Sequence, residues 1–206
     1  MIGRRVLAVV LGGLWVAAVA WGFLRVRAYE NAPGHAGRAP TAWPGGPRLG
    51  LASTEFTLVL FAHPRCPCTR ATLDSLDHLM AHAQGRLTAH VLFWTPPDAG
   101  EAWAHTDLWA TAAAIPGVQP RCDPGGDEAR RFQAETSGQV FLYDRHGGLR
   151  FRGGITAARG HAGDSPGCRA ILALLSGDTA APAETPVFGC PLFETPPAPP
   201  PSESQA

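Results

Sequence analysis

Phe61-Ala-His-Pro-Arg-Cys-Pro-Cys-Thr-Arg70 follows an apolar run and opens a helical pattern, and the reading of its two cysteines decides the fold. Pro67 suits the first position of a helix, where its missing N–H has no partner to lose and its fixed φ is already helical. Cys66 then becomes the N-cap. A thiolate there sits at the positive end of the helix dipole and can accept from the backbone N–H groups of Cys68 or Thr69. Arg65 and Arg70 add positive charge nearby. Each effect favours thiolate over thiol, so Cys66 is expected to have a lowered pKa and to be the nucleophile. The alternatives are two small cap residues or half of a zinc site.

Working outward, Phe56 to Ala62 is a continuous apolar run of strand length, suited to the centre of a sheet covered on both faces. After the cysteines, Thr69, Leu73, Leu76, Met80 and Ala83 recur at helical spacing, and Gly85 stops the helix. His78 and His82 are four apart but read as a solvated outer face. Leu87 to Trp94 is a second strand, ended by Thr95-Pro-Pro97. Asp98 and Glu101 imitate a capping box, which predicts a second helix from Ala99 to about Ala114. Ile115 to Asp123 reads as irregular, and Pro124 to Ala134 as holding a short helix. Gln139 to Asp144 and Leu149 to Gly153 form a hairpin around Arg145-His-Gly-Gly148. The returning strand carries the loop 154–165 back toward Gly138. Pro166 to Leu175 is the last helix, with Ser165 as N-cap. His90, on a strand, is expected to be a satisfied core histidine.

The chain has 206 residues, room for one domain of about 130 residues with appendages. Formal charge is zero without long runs of one sign, which excludes an electrostatic case for nucleic acid. There is no Lys, so lysine Schiff-base chemistry and a P-loop lysine are excluded. Arg4 and Arg5 precede nineteen uncharged residues, Val6 to Leu24, just long enough to span a bilayer. Residues 1–28 therefore read as a signal anchor that binds the membrane through residues 6–24. The rival is a cleaved signal peptide ending near Ala18-Val19-Ala20. Either reading sends the rest of the chain out of the cytoplasm, where disulfides persist. Residues 29–49 read as a linker and 50–177 as the domain. Residues 178–206 read as a Pro-rich, mostly disordered tail with one apolar island, 187–193, that docks back and brings Cys190 with it.

The order of elements and the motifs His63-Pro-Arg-Cys-Pro-Cys-Thr-Arg70, Thr136-Ser-Gly-Gln139 and Gly153-Gly-Ile-Thr-Ala-Ala-Arg-Gly-His-Ala-Gly-Asp164 resemble a thioredoxin-fold protein. The likeness is to membrane-anchored TlpA-like thiol-disulfide proteins, and more closely to the RedB-type bacterial proteins. It covers about residues 50 to 177. The resemblance implies an α/β thioredoxin-like fold, with a central mixed β-sheet flanked by helices and an N-terminal transmembrane helix. It also implies a single-pass bacterial inner-membrane location, with the domain facing the periplasm or cell exterior. Two departures stand out. The spacing is Cys-x-Cys rather than Cys-x-x-Cys, so a Cys66–Cys68 bond would close a small, strained ring. The family's cis-proline position falls near Gly138, where there is no proline.

Three functions follow as expectations. In thiol-disulfide exchange with a thiol- or disulfide-bearing protein partner, Cys66 attacks and either Cys68 or Cys190 resolves the mixed disulfide. Thr69 and His161 then assist catalysis, and His63, Pro67, Gly138 and Arg159 shape the substrate site, without any cofactor. The alternative is a metallochaperone binding Cu(I) as its cofactor through Cys66 and Cys68 with His63 or His161. The third is a thiol peroxidase in which Thr69 and Arg159 polarise the peroxide. Cys122 and Cys168 are left as either a structural disulfide or two free thiols.

Overall fold

The computed structural model describes residues 2–46 and 48–193; residues 1, 47 and 194–206 lie outside it, and with them the end of the Pro-rich tail. The sheet grows from β1 (Phe56–Ala62), in which every side chain after the first is buried. A strand buried on both faces needs partners on both edges and helices above and below. It pairs in parallel with β2 (Leu87–Thr95) and antiparallel with β4 (Gln139–Asp144). Outside these lie β3 (Val118–Pro124), parallel to β2, and β5 (Leu149–Gly154), antiparallel to β4. The order is β3-β2-β1-β4-β5. Helices α2 (Pro67–His82), α3 (Asp107–Ala114) and α5 (Pro166–Leu175) pack on one face through Leu73, Leu76, Leu108 and Ile171. The short helix α4 (Asp127–Phe132) covers the other, where Phe132 meets Phe61 and Phe141. This mixed five-stranded sheet between helices is a thioredoxin-like fold.

The two proline-started helices lie where the sequence places them, and Ser165 caps α5 by accepting from the Cys168 N–H. Elsewhere the structure departs from expectation. Val118 to Pro124 is a strand, not irregular chain, because its alternation of buried and exposed residues belongs to a sheet edge, where proline costs no ladder bond. The helix expected over 99–114 is two pieces, a 3₁₀ turn at Glu101–Trp103 and α3, with Thr106 at the second N-cap. His90 is buried, but among the described residues neither ring nitrogen has a hydrogen-bond partner, so it is not a satisfied histidine.

The segment expected to be a linker is a strap. Trp43 packs edge-on against Phe132 and Tyr143, the Tyr143 hydroxyl donates to the Pro40 carbonyl, and Trp43 N–H donates to Gly147. The tail also departs from a free chain at 183–187, which runs along the open edge of β5. Arg152 N–H donates to Ala183 O and Thr185 N–H returns to Arg152 O, at 2.9 and 3.2 Å. Unpaired edge strands invite association, and this one is covered by its own chain. At the N-terminus, α1 (Ile2–Glu30) is long and apolar enough to cross a membrane, and its apolar side chains are exposed.

Candidate active site

Cys66 leaves the buried end of β1 and caps α2 in extended conformation, with Pro67 opening the helix. Its side chain is buried, while Cys68 and Cys190 are half-buried. The Sγ atoms of Cys66 and Cys190 lie 3.2 Å apart, and the three sulfurs of Cys66, Cys68 and Cys190 are all within 4.8 Å of one another.

The tail is held there by backbone. Ser137 N–H donates to Cys190 O at 2.8 Å and Leu192 N–H to Glu135 O at 2.9 Å, so the tail bridges the stretch before β4 in antiparallel fashion. Val187 and Leu192 are buried on either side. Gly189 has to be glycine, since a Cβ there would lie 1.8 Å from Ser137 O. Arg159 locks the same turn: its Nη1 donates to Gly189 O, its Nε donates to Ala32 O at 3.2 Å, and its guanidinium lies over Tyr29.

Burial alone would push the Cys66 thiol up. The Cys190 thiol as hydrogen-bond donor, with the backbone N–H groups of Cys190, Cys68 and Thr69, outweighs burial and leaves Cys66 below the ordinary range. The N–H groups of Cys68 and Thr69 approach the sulfur without closing a full capping hydrogen bond, and they lower it less than the Cys190 thiol does. Burial and then the Cys66 charge hold Cys68 above its ordinary value. Burial, the hydrogen bond to Cys66 and the Cys66 charge push Cys190 up to about 12. Of the three sulfurs, Cys66 is therefore the one that gives up its proton most readily.

The remaining candidates are distributed as follows. The Thr69 hydroxyl donates to the His63 carbonyl at 3.0 Å and touches the Ser137 hydroxyl at 3.1 Å. Fully buried and engaged, it positions the loop and offers no free donor to a peroxide. His63 stacks on Trp94 with ring centroids 5.6 Å apart, and burial, then Arg65, keeps it below its ordinary pKa. His161 is exposed, with Nδ1 bound at 2.9 Å by the carbonyl of Arg159. Neither imidazole belongs to the cluster of sulfurs. Gly138 stands at φ 91°, its N–H donating to Phe61 O at 2.7 Å. Cys122, on β3, and Cys168, on α5, are free thiols and form no disulfide.

Two features were missed. Ser137 ties the site together: its hydroxyl accepts from His63 N–H at 3.0 Å while its own N–H holds the tail. Its place within Thr136-Ser-Gly-Gln139, just before a strand, was the available signal. The second is an aromatic cluster of Trp94, Trp103 and His63, three residues before Cys66 in the chain, with the Arg65 guanidinium 4.6 Å from the Trp103 ring. Trp94 at a strand end hinted at it, but Trp103 joins the cluster from the 3₁₀ turn Glu101–Trp103, where one continuous helix was expected.

No family model matches the chain, and no curated protein matches it. Solved structures do. A hypothetical protein from Sinorhizobium meliloti superposes with a TM-score of 0.58 at 23% identity, over 79% of this chain and 96% of its own. An uncharacterized conserved protein from Geobacillus kaustophilus gives 0.57 at 18% identity, over 82% and 95%. A secreted Mycobacterium tuberculosis disulfide oxidoreductase gives 0.44 at 17%, over 70% and 96%. The first two share the fold of this chain.

Proposed function

We propose that this protein is a membrane-anchored thiol-disulfide oxidoreductase of the TlpA-like, RedB-type kind, held in the bacterial inner membrane by α1 with its domain outside the cytoplasm. The observation that carries the reading is the Cys66–Cys190 contact of 3.2 Å at the N-terminus of α2. Cys66 thiolate attacks one sulfur of a partner disulfide, forming a mixed disulfide and releasing the partner's other sulfur as thiolate. A second thiol of this chain then attacks the Cys66 sulfur, and the second partner thiolate leaves with the proton the resolving thiol gives up. The partner gains two electrons, and this chain ends with one internal disulfide.

Cys190 is the better placed resolver. Its proton is held while Cys66 is charged, but the mixed disulfide removes that charge, and with it two of the causes that raise Cys190. Burial, the largest cause, and the Cys68 charge remain. Cys190 thus gives up its proton more readily once Cys66 has reacted. Cys68 would instead close the small, strained ring. The cavity at Cys66 is lined by Pro64, Arg65, Pro67, Arg70, Asp107 and Leu108, a mixed surface that suits a polypeptide partner.

The test is reduction of a protein disulfide by the full chain in detergent. Cys66→Ser abolishes turnover, whereas Cys190→Ser stalls the reaction as a trapped mixed disulfide on Cys66. Turnover retained by Cys66→Ser would sink the reading.

A further inference from the structure

The three sulfurs form a cluster from two distant parts of the chain, and disulfide exchange uses only two of them at a time. Their mutual distances run from 3.2 Å for Cys66 and Cys190 up to a limit of 4.8 Å. A soft d¹⁰ cation with bonds of ~2.3 Å to sulfur places three trigonal sulfurs ~4 Å apart, inside that range. Fixed backbone presents all three. Cys66 and Cys68 sit on the first turn of α2, and Cys190 is set by its bond to Ser137, by Gly189 against Ser137 O, and by buried Val187 and Leu192.

We propose that the reduced protein binds one Cu(I) ion through the thiolates of Cys66, Cys68 and Cys190, with the tail supplying the third ligand. Thiolates select Cu(I) over harder cations. Structural zinc takes four ligands, and among the described residues the cluster offers three. The ligand set differs from the one expected from the sequence, since a tail sulfur stands where an imidazole of His63 or His161 was expected. Binding involves no electron transfer: Cu(I) enters as Cu(I), the three sulfurs coordinate as thiolates, and the protons they carried pass to solvent. The resulting centre carries two negative charges. The Arg159 guanidinium faces Cys68 and Cys190 and offsets part of that charge. Metal binding and a Cys66–Cys190 disulfide exclude each other, because each consumes the same sulfurs.

The inference stands apart from disulfide exchange and is measured without turnover. The full chain in detergent, reduced and kept anaerobic, is titrated with Cu(I) against the chromophoric chelator bicinchoninate. One Cu(I) per chain is expected, with three sulfur neighbours in X-ray absorption at the copper edge. Cys190→Ser is expected to lower the affinity by about a hundredfold and reduce the sulfur count to two. Equal affinity in Cys190→Ser, a nitrogen neighbour in the parent, or failure of the reduced parent to compete for Cu(I) each overturns the proposal. The absorption measurement on the parent decides the matter even if the variant folds poorly. A chain that exchanges disulfides but leaves Cu(I) with the chelator sinks this proposal and not the preceding one.

Discussion

The charge at the site is set by a few donors around one sulfur. Cys66 is buried, which by itself disfavours a thiolate, yet the donors from Cys190, Cys68 and Thr69 reverse that preference. The rate of Cys66 alkylation against pH should therefore rise with a midpoint below the ordinary thiol value, and Cys190→Ala should move that midpoint upward. An unmoved midpoint would show that the tail thiol does not stabilise the anion. His90 offers a second titration. Burial, with the nearby Arg121 charge, lowers its pKa from 6.5 to about 4. As pH falls through that window the unfolded chain takes up a proton that native His90 refuses, so stability is lost, by up to about 3 kcal/mol. Asp123 and Glu128, whose carboxyls burial pushes up, act in the opposite sense. The comparison of parent with His90→Leu isolates the histidine: its denaturation midpoint should fall less steeply between pH 6.5 and 4. The reactive cysteine was legible because proline dictates where a helix starts. Ser137 was not, because a hydroxyl that joins three segments has no local pattern.

At the level of elements, legibility followed whether an element is built from its own sequence or from its neighbours. β1, α2, the hairpin and α5 carry their own signals, in apolar runs, proline starts and a serine cap. β3 carries none, because Val118-Gln-Pro-Arg-Cys-Asp-Pro124 becomes a strand only by pairing with β2. α4 is likewise stabilised from outside its own span: the Asp123 carboxylate accepts from Glu128 N–H at 2.8 Å and Ala129 N–H at 3.0 Å. Asp123→Ala should cost about 1 to 2 kcal/mol in chemical denaturation. The tail segment depends most on tertiary contact. Gly189→Ala should lift it from Ser137, seen as faster amide exchange at Ser137 and at Gly34, whose N–H donates to Val187 O at 2.8 Å, and as faster alkylation of Cys190. Parent-like protection in that variant would show that the tail is held by something other than this close approach.

Across the whole molecule, Gly- and Pro-rich stretches without periodicity read as free chain, yet residues 29–46 and 178–193 wrap the sheet. The apolar island 187–193 announced its docking, but nothing in the composition of the remaining stretches forecasts theirs, since they are held largely through backbone groups and the glycines serve close approach. Arg159 joins the two wraps, with Gly189 on one side and Ala32 and Tyr29 on the other. Arg159→Ala should open both together, so that limited proteolysis cuts near residues 30–36 and 185–190 at similar rates. Cleavage at only one would show the wraps to be independent.

The same arginine also accepts a geometric duty. Its backbone N–H bonds the carbonyl of Glu30, the last residue of α1, at 3.0 Å. The sulfurs are thus tied to the foot of the apolar helix through Arg159, by its side chain and its own peptide group, and the Gly34 N–H to Val187 O bond of 2.8 Å supports the same junction. With α1 in a bilayer, the reactive thiol patrols a thin layer above the lipid surface, and encounters with other membrane-bound molecules become a search in two dimensions.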